Sequence, residues 1–301
     1  MSSLYQRFIE HYVGKAGNPA IRKIYDDSWL GIDRTKEVPA VKSYLLDGGV
    51  GVDYLNNNLS PLLSSGGFQV KFASLFCHKK PGVKRTSACK ANHPGDTPGC
   101  ELGDLFVLFI LMDGGDNLHY AAGALCQAKV EPKLDSLSQK ALYDFDSEFD
   151  VPRYLSERPG SPGSRRAMPT YAEGRGRALR YLILQDEPSK NVTARNVPWE
   201  KNFRPKWSSL IDGLITGSDG MRIDFNSSPS SNWDCMASDL LYVGLAVPKK
   251  KPSRGNNIAT QVATSLFNSF SNLGEYSVET QDEGVSTMLI IAHAPDQGLR
   301  K

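Results

Sequence analysis

The stretch Glu101–Val130 (ELGDLFVLFILMDGGDNLHYAAGALCQAKV) decides the fold. Two apolar runs of strand length flank an Asp-Gly-Gly-Asp-Asn cluster, and this pattern predicts a β-hairpin with a somewhat long loop. Because side chains alternate along a strand, Asp104 shares a face with Phe106, and Gln127 shares a face with Lys129. An acidic residue at the start of one strand and a Gln-x-Lys pair at the end of its neighbour are expected to meet at one end of the hairpin. A charge inside an apolar strand is costly unless it is paired or bound to a metal, so Asp104 and Lys129 need an explanation.

The composition is that of an ordinary globular protein. The chain has 301 residues, of which 40% are hydrophobic and 23% charged, with a net charge of +2. It carries five cysteines, no apolar segment typical of a signal peptide and no apolar run near the ~20 residues that span a bilayer. We therefore expect a cytoplasmic protein with free thiols and no membrane association. The sequence contains no phosphate-binding G-x-x-x-x-G-K-[ST] motif, which argues against a P-loop nucleotide hydrolase.

Periodicity predicts an α/β layered fold. Helices are predicted at 4–13, 52–63, 136–149 (with Ser136 as the N-cap), 207–216 and 233–247, and strands at 68–78, 178–185 and 287–293 in addition to the hairpin. Two Pro/Gly-rich basic segments, 79–100 and 153–176, are predicted to be long loops. We divide the chain into an N-terminal helical region (1–66), a core (67–187) and a C-terminal α+β region (188–301) that packs on the core or extends it.

The polar residues of the hairpin suit metal-assisted hydrolysis of a phosphodiester. Such a reaction needs a divalent cation held by carboxylates, an activated water and neutralisation of charge on the phosphate. Asp104 is the predicted main ligand, with the Gln127 amide oxygen and the Glu101 carboxylate as further candidates. Lys129 would lie beside the metal-bound water and either lower its pKa or contact the phosphate.

At these residues the sequence resembles the PD-(D/E)XK nuclease superfamily. Gly103-Asp104 stands where that family has Pro-Asp, and Gln127-Ala128-Lys129 stands where it has (D/E)-x-K, as in the branch that uses Q-x-K. The segment Gln139–Tyr143 looks like the Q-x-x-x-Y helix of another branch, and its i, i+4 spacing puts both side chains on one helix face, where they can point at DNA or at the site. The resemblance implies a restriction-endonuclease-like mixed β-sheet flanked by helices and a nuclease that uses Mg²⁺ or Mn²⁺. It also implies double-stranded DNA as the expected substrate, dimers as a common assembly, and a role in defence against foreign DNA.

Five cations precede the hairpin and make segment 79–100 basic. Phosphate neutralisation is one use for them and a solvated loop is the other. They are Lys79, Lys80, Lys84, Arg85 and Lys90, and the first four are the candidate contacts to nucleic acid.

Other interpretations stay open. Gln127 in place of a carboxylate removes a negative charge, and this favours a non-catalytic module of the same fold that binds nucleic acid or a protein. Asp104 and Lys129 can instead form a structural salt bridge across the hairpin. The Cys and His residues around segment 79–100 can form a zinc site, or they can be buried thiols and loop histidines. They are Cys77, His78, Cys89, His93 and Cys100.

Overall fold

The computed structural model describes residues 3–16, 19–79, 81–95, 97, 99–133, 135–145, 147–158, 161–197, 202–225, 231–246 and 277–295. Five helices come first in this part of the chain, and strands and helices are mixed after them. The helices are α1 (Leu4–Ala16), α2 (Pro19–Asp27), α3 (Glu37–Leu46), α4 (Gly51–Asn58), α5 (Ser60–Leu63), α6 (Ser87–Asn92), α7 (Leu137–Asp144), α8 (Arg153–Ser156), α9 (Arg175–Ala178), α10 (Trp207–Thr216) and α11 (Asn232–Ala246). The strands are β1 (Gln69–Lys79), β2 (Gly82–Arg85), β3 (Gly99–Glu101), β4 (Leu105–Asp113), β5 (Leu118–Lys129), β6 (Glu148–Asp150), β7 (Arg165–Ala167), β8 (Leu179–Asp186), β9 (Asn191–Arg195), β10 (Met221–Arg222), β11 (Ser277–Glu283) and β12 (Ser286–Ala294).

A mixed sheet of eight strands forms the middle of the fold, and the predicted α/β class is confirmed. Within the described residues its order is β11-β1-β12-β4-β5-β8-β9, with β10 paired to β5. The pairs β1–β11, β12–β4 and β5–β8 are parallel, and the remaining pairs are antiparallel. Helices cover both faces, so the central strands are apolar without interruption rather than alternating. Every residue of β4 from Leu105 to Met112 is buried.

The core divides into two clusters, one on each face of the sheet. Helices α1 to α5 and α10 pack on the first face with side chains such as Phe8, Tyr44 and Trp207. Helices α7, α8, α9 and α11 pack on the second face with side chains such as Leu142 and Trp233. A sheet covered in this way presents only its ends to solvent, and polar side chains at those ends stand at the rim of both layers.

The predicted β-hairpin is confirmed as β4 and β5. Leu105 pairs with Cys126 and Ile110 with Ala121 in an antiparallel ladder. The connecting turn is closed by Asp113, whose Oδ1 accepts hydrogen bonds from the backbone N–H groups of Gly115 and Asn117, each at 2.9 Å. The turn lies at the end of the hairpin opposite to Asp104, because Asp104 immediately precedes β4.

The C-terminal region contributes an interior strand to the sheet. Strand β12 lies between β1 and β4, antiparallel to the first and parallel to the second. Without segment 188–301, the sheet of segment 67–187 would therefore lack a central strand. The boundary at residue 187 does not separate two folding units.

The prediction of two long loops is wrong, because both segments contain regular structure. Strands β2 and β3 lie in segment 79–100, β7 lies in segment 153–176, and together with β6 they form a second sheet in the order β3-β2-β6-β7. These strands have three or four residues each and carry Gly, Lys and Arg, so they show little strand propensity. The predicted helix at 136–149 is shorter, ending at Asp144, because the chain enters β6 at Glu148.

None of the helices in the described ranges has the combined length and apolarity that crossing a bilayer requires.

Candidate active site

Asp104 and Gln127 face each other where β4 begins and β5 approaches its end. The backbone N–H of Asp104 donates to the carbonyl of Cys126 at 2.9 Å, which continues the ladder by one residue. The Asp104 carboxylate accepts at Oδ2 from the backbone N–H of Ala128 at 2.7 Å and from Nε2 of Gln127. Both side chains are buried. The expected meeting of Asp104 with Gln127 at one rim of the sheet is thus observed, and Lys129 follows two residues further along β5.

The other half of the Gln127 amide has no partner. Its Oε1 atom is buried without a hydrogen bond from any described residue. A buried carbonyl that loses its partner costs about 1–3 kcal/mol, so this oxygen can accept a donor or a cation without losing a hydrogen bond.

Lys129 lies on the same face of β5 as Gln127 and is 4% exposed. Its Nζ donates to Oε1 of Gln139 at 3.0 Å and forms an ion pair with Oδ1 of Asp135 at 2.6 Å. The alternative of a structural salt bridge between Asp104 and Lys129 stays a prediction; the ion pair described for the ammonium is the one with Asp135. Two contacts hold the ammonium in place, and one of them is a carboxylate whose side chain is half exposed.

Glu37 joins the site from the first turn of α3, and sequence reasoning missed it. Burial raises the pKa of its carboxyl; the charge of Lys129 opposes this shift, and the charges of Asp104 and Asp135 add to it. The backbone of Val130 hydrogen-bonds the same carboxylate. A Glu at a helix start is ordinary on dipole grounds, so nothing in the sequence pointed to its position beside Asp104 and Lys129.

Two cavities flank this group of polar side chains. One, of about 130 Å³, is lined by Asp104, Glu101 and residues of α3, β1 and β12. The other, of about 240 Å³, is lined by Glu37, Lys129, Lys133 and their neighbours. Glu101 is exposed on β3 and shares the first cavity with Asp104, so it stands at the rim of the site rather than inside it.

Helix α7 supports the site from the second face of the sheet. Ser136 caps it as predicted, accepting from the backbone N–H of Gln139 at 3.3 Å. Gln139 contacts Lys129, whereas Tyr143 is buried and its hydroxyl donates to the carbonyl of Leu102 at 3.0 Å. Burial raises the pKa of the Tyr143 hydroxyl well above its ordinary value, and the charge of Asp104 adds to the shift. The two residues of the Q-x-x-x-Y motif thus point inward, one to the ammonium and one to the segment that carries Asp104.

The glycine before Asp104 has a packing reason. A Cβ at Gly103 would lie 2.7 Å from Cδ1 of Leu125 and 2.8 Å from the Tyr143 hydroxyl. Any larger residue would displace one of these two buried groups. The close approach of α7 and β5 therefore requires a glycine at this position.

The cations predicted to contact phosphate divide by exposure. Lys79 and Lys84 are exposed at the end of β1 and on β2. Arg85 is buried, and its Nη2 donates to the carbonyls of Cys89 at 3.0 Å and His93 at 2.6 Å, so its predicted role in phosphate binding is corrected to a structural one. Lys80 lies outside the described residues.

The zinc alternative finds no support in the described ranges, where no group of three or more His, Cys, Asp and Glu side chains is arranged to hold a metal ion. Cys89 accepts from the backbone N–H of Glu148 at 3.1 Å, and the His93 ring stacks on Phe145 with centroids 3.8 Å apart. His78 instead hydrogen-bonds Glu279. The described thiols and imidazoles of this segment thus have structural partners of their own. The amide oxygen of Gln127 does not belong to these four residue types.

No protein-family model, no curated protein and no solved structure matches this chain.

Proposed function

We propose that this protein is a metal-dependent nuclease of the PD-(D/E)XK type, with a restriction-endonuclease-like fold, that hydrolyses phosphodiester bonds of DNA. The observation that carries the proposal is the convergence of Asp104, Gln127 and Lys129 at one rim of adjacent strands. Three buried polar side chains gathered at the end of an apolar sheet are costly to fold. Such a cost is typical of sites kept for chemistry rather than for stability.

The residues present fit a divalent cation with oxygen ligands. Mg²⁺ binds one or two carboxylates and keeps several waters. Asp104 and Glu37 supply two carboxylates, and the buried, unpartnered Oε1 of Gln127 supplies a neutral oxygen after a rotation of its amide. Glu101 can act from the rim of the same cavity. A bound Mg²⁺ or Mn²⁺ would activate a water and neutralise charge on the phosphate.

The other side chains position these groups. Gln139 and Asp135 hold the Lys129 ammonium, a cation suited to contact the scissile phosphate. Because Asp135 is half exposed, a phosphate oxygen can take its place on Nζ without burying a second charge. Tyr143 fixes Leu102, two residues before Asp104, and so limits the movement of the main carboxylate.

The cellular setting that we propose follows the same reasoning. None of the five cysteines forms a disulfide, and four of them are buried. Free thiols suit a reducing cytoplasm, where a nuclease directed at foreign DNA would meet its substrate. A homodimer or another protein partner is compatible with this role.

The test is cleavage of plasmid DNA by the purified protein with Mg²⁺ or Mn²⁺. Lys129→Ala should stay folded and lose cleavage by a factor of about 10² or more, since a lost electrostatic contact to the transition state has that size. Lys133→Ala, which removes an exposed ammonium from the same cavity, is the matched control and should keep most of the activity. Full cleavage by Lys129→Ala, or cleavage that survives Asp104→Ala, would overturn the mechanism.

A second candidate function is a non-catalytic module of the same fold that binds DNA or a protein. It is favoured by the uncharged side chain at Gln127 and by the hydrogen bonding of Asp104, whose Oδ2 already accepts two hydrogen bonds. Tight DNA binding without product under any divalent ion would support this module.

A further inference from the structure

The smaller cavity beside Asp104 differs in chemistry from the rest of the site. Its volume is about 130 Å³, and Val38 and Val41 of α3 and Phe76 of β1 contribute apolar walls. Asp104 and Glu101 supply its acidic groups. A space of this size holds about four water molecules and lies below the usual range of drug-sized ligand pockets.

The charges around this cavity argue against a phosphate. Two carboxylates line it, and its histidine, His78, is hydrogen-bonded to Glu279. Glu279 is also paired with Lys42 at 2.7 Å, so that ammonium is already neutralised. A neutral, flat group with apolar faces and a polar edge suits these walls, and this is the description of a nucleobase.

Resting on the proposed function, we propose that this cavity receives one nucleobase of an unpaired nucleotide next to the scissile phosphate. The larger cavity, with Lys129 and Lys133, lies on the other side of the Asp104–Gln127 pair. The N-terminus of α3 lines both, through Val38 in one and Glu37 in the other. A strand that passes along this rim would place its phosphate at Asp104 and its base between α3 and β1.

The size of the cavity then selects the substrate. A base pair is twice as large as a base, so a duplex has to open or flip one nucleotide before it can react. Single-stranded DNA, or a duplex with an unpaired nucleotide, is therefore the preferred substrate, and intact double-stranded DNA is the poorer one.

The experiment separates base recognition from phosphate recognition. A short single-stranded oligonucleotide and a fully abasic strand of equal length and charge are compared for binding in Ca²⁺ and for cleavage in Mg²⁺, beside the corresponding duplex. Stacking of one base in a pocket corresponds to about a tenfold gain in affinity. Wild type should bind the base-bearing strand about tenfold more tightly than the abasic strand and cleave it faster than the duplex.

A variant that fills the cavity supplies the control. Val38 is 43% exposed at the cavity wall, so Val38→Trp should fill the space without entering the core and should remove the preference for the base-bearing strand. Leu62→Trp makes the same change on α5, at a residue 46% exposed that lies outside the cavity lining, and should keep the preference.

The outcomes distinguish this inference from the function on which it rests. A preference for bases that Val38→Trp abolishes, with no cleavage of any strand, would support the pocket and overturn the nuclease proposal. Cleavage that is equal for duplex and single strand, or a base preference that Val38→Trp leaves intact, would overturn the pocket and leave the nuclease standing. Absence of both binding and cleavage would refute both.

Discussion

Gln127→Glu is the most informative single change, because it places a second carboxylate directly opposite Asp104. In the structure the Gln127 amide donates to the Asp104 carboxylate. The substitution removes this donor and sets two carboxylates against each other in a buried place. A hydrogen bond to a charged group contributes about 1.5–3 kcal/mol, so the metal-free variant should be less stable than wild type by about 2–3 kcal/mol.

A divalent cation should reverse this loss. Two facing carboxylates bind Mg²⁺ or Mn²⁺ more tightly than a carboxylate and an amide do. An ion present at a hundred times its Kd stabilises the folded state by about 2.7 kcal/mol, which is the size of the penalty. The variant should therefore melt about 3–5 °C below wild type in a chelator and return to near wild-type stability in Mn²⁺.

Differential scanning calorimetry with and without the ion measures both quantities. The deficit of the metal-free variant should shrink at acid pH, because a protonated carboxyl at position 127 can again donate to Asp104. Gln127→Met keeps the volume but removes every polar atom, so its melting temperature should respond less to Mn²⁺ than that of wild type. If Gln127→Glu gains no more from the ion than wild type does, then Asp104 and Gln127 do not form an ion site.

Three further predictions follow from the described contacts. Glu37→Gln should be more stable than wild type at neutral pH, because the raised pKa of Glu37 means that its ionised carboxylate destabilises the folded state above the ordinary glutamate pKa. This difference in stability should vanish in thermal melts below that pKa. DNA cleavage by the variant should fall. Tyr143→Phe leaves the buried Leu102 carbonyl without its donor and should cost about 1–3 kcal/mol in urea unfolding, with reduced cleavage. Asp239→Asn weakens two buried arginine pairs and should cost about 3–5 kcal/mol, whereas Glu157→Gln at an exposed pair should change stability by less than about 1 kcal/mol in the same assay.

Local patterns were enough to predict most long elements. The apolar runs of β1, β4, β5, β8 and β12 and the helical spacing of α1, α7 and α10 are present in the sequence, and each lies within a few residues of its predicted position. These elements can be predicted from the sequence because each of them buries one face or both faces against the core. The meeting of Asp104 with Gln127 followed from strand parity and hairpin pairing alone.

The features that were missed depend on contacts distant in sequence. The insertion of β12 between β1 and β4 pairs residues nearly two hundred positions apart, and no local pattern specifies it. Arg85 and Arg166 look like solvated loop residues, but one is held by backbone carbonyls and the other by Asp239. Glu37 looks like a favourable helix start, and only the packing of α3 over the end of the sheet brings it to Lys129.

The balance of charge explains why a glutamine at position 127 is compatible with an ion site. Asp104, Glu37 and Asp135 bring three carboxylates to one ammonium, Lys129, in a place where burial already raises the pKa of Glu37. A fourth carboxylate would raise the cost of the metal-free state further, because buried like charges destabilise each other's ionised forms. An amide adds a ligand oxygen without adding charge. Glutamine at position 127 would therefore bind the ion less tightly than glutamate would, but it would destabilise the metal-free protein less. On this argument the protein should need a higher Mg²⁺ concentration than its Gln127→Glu variant for half-maximal cleavage. Equal requirements in the two proteins would show that position 127 does not touch the ion.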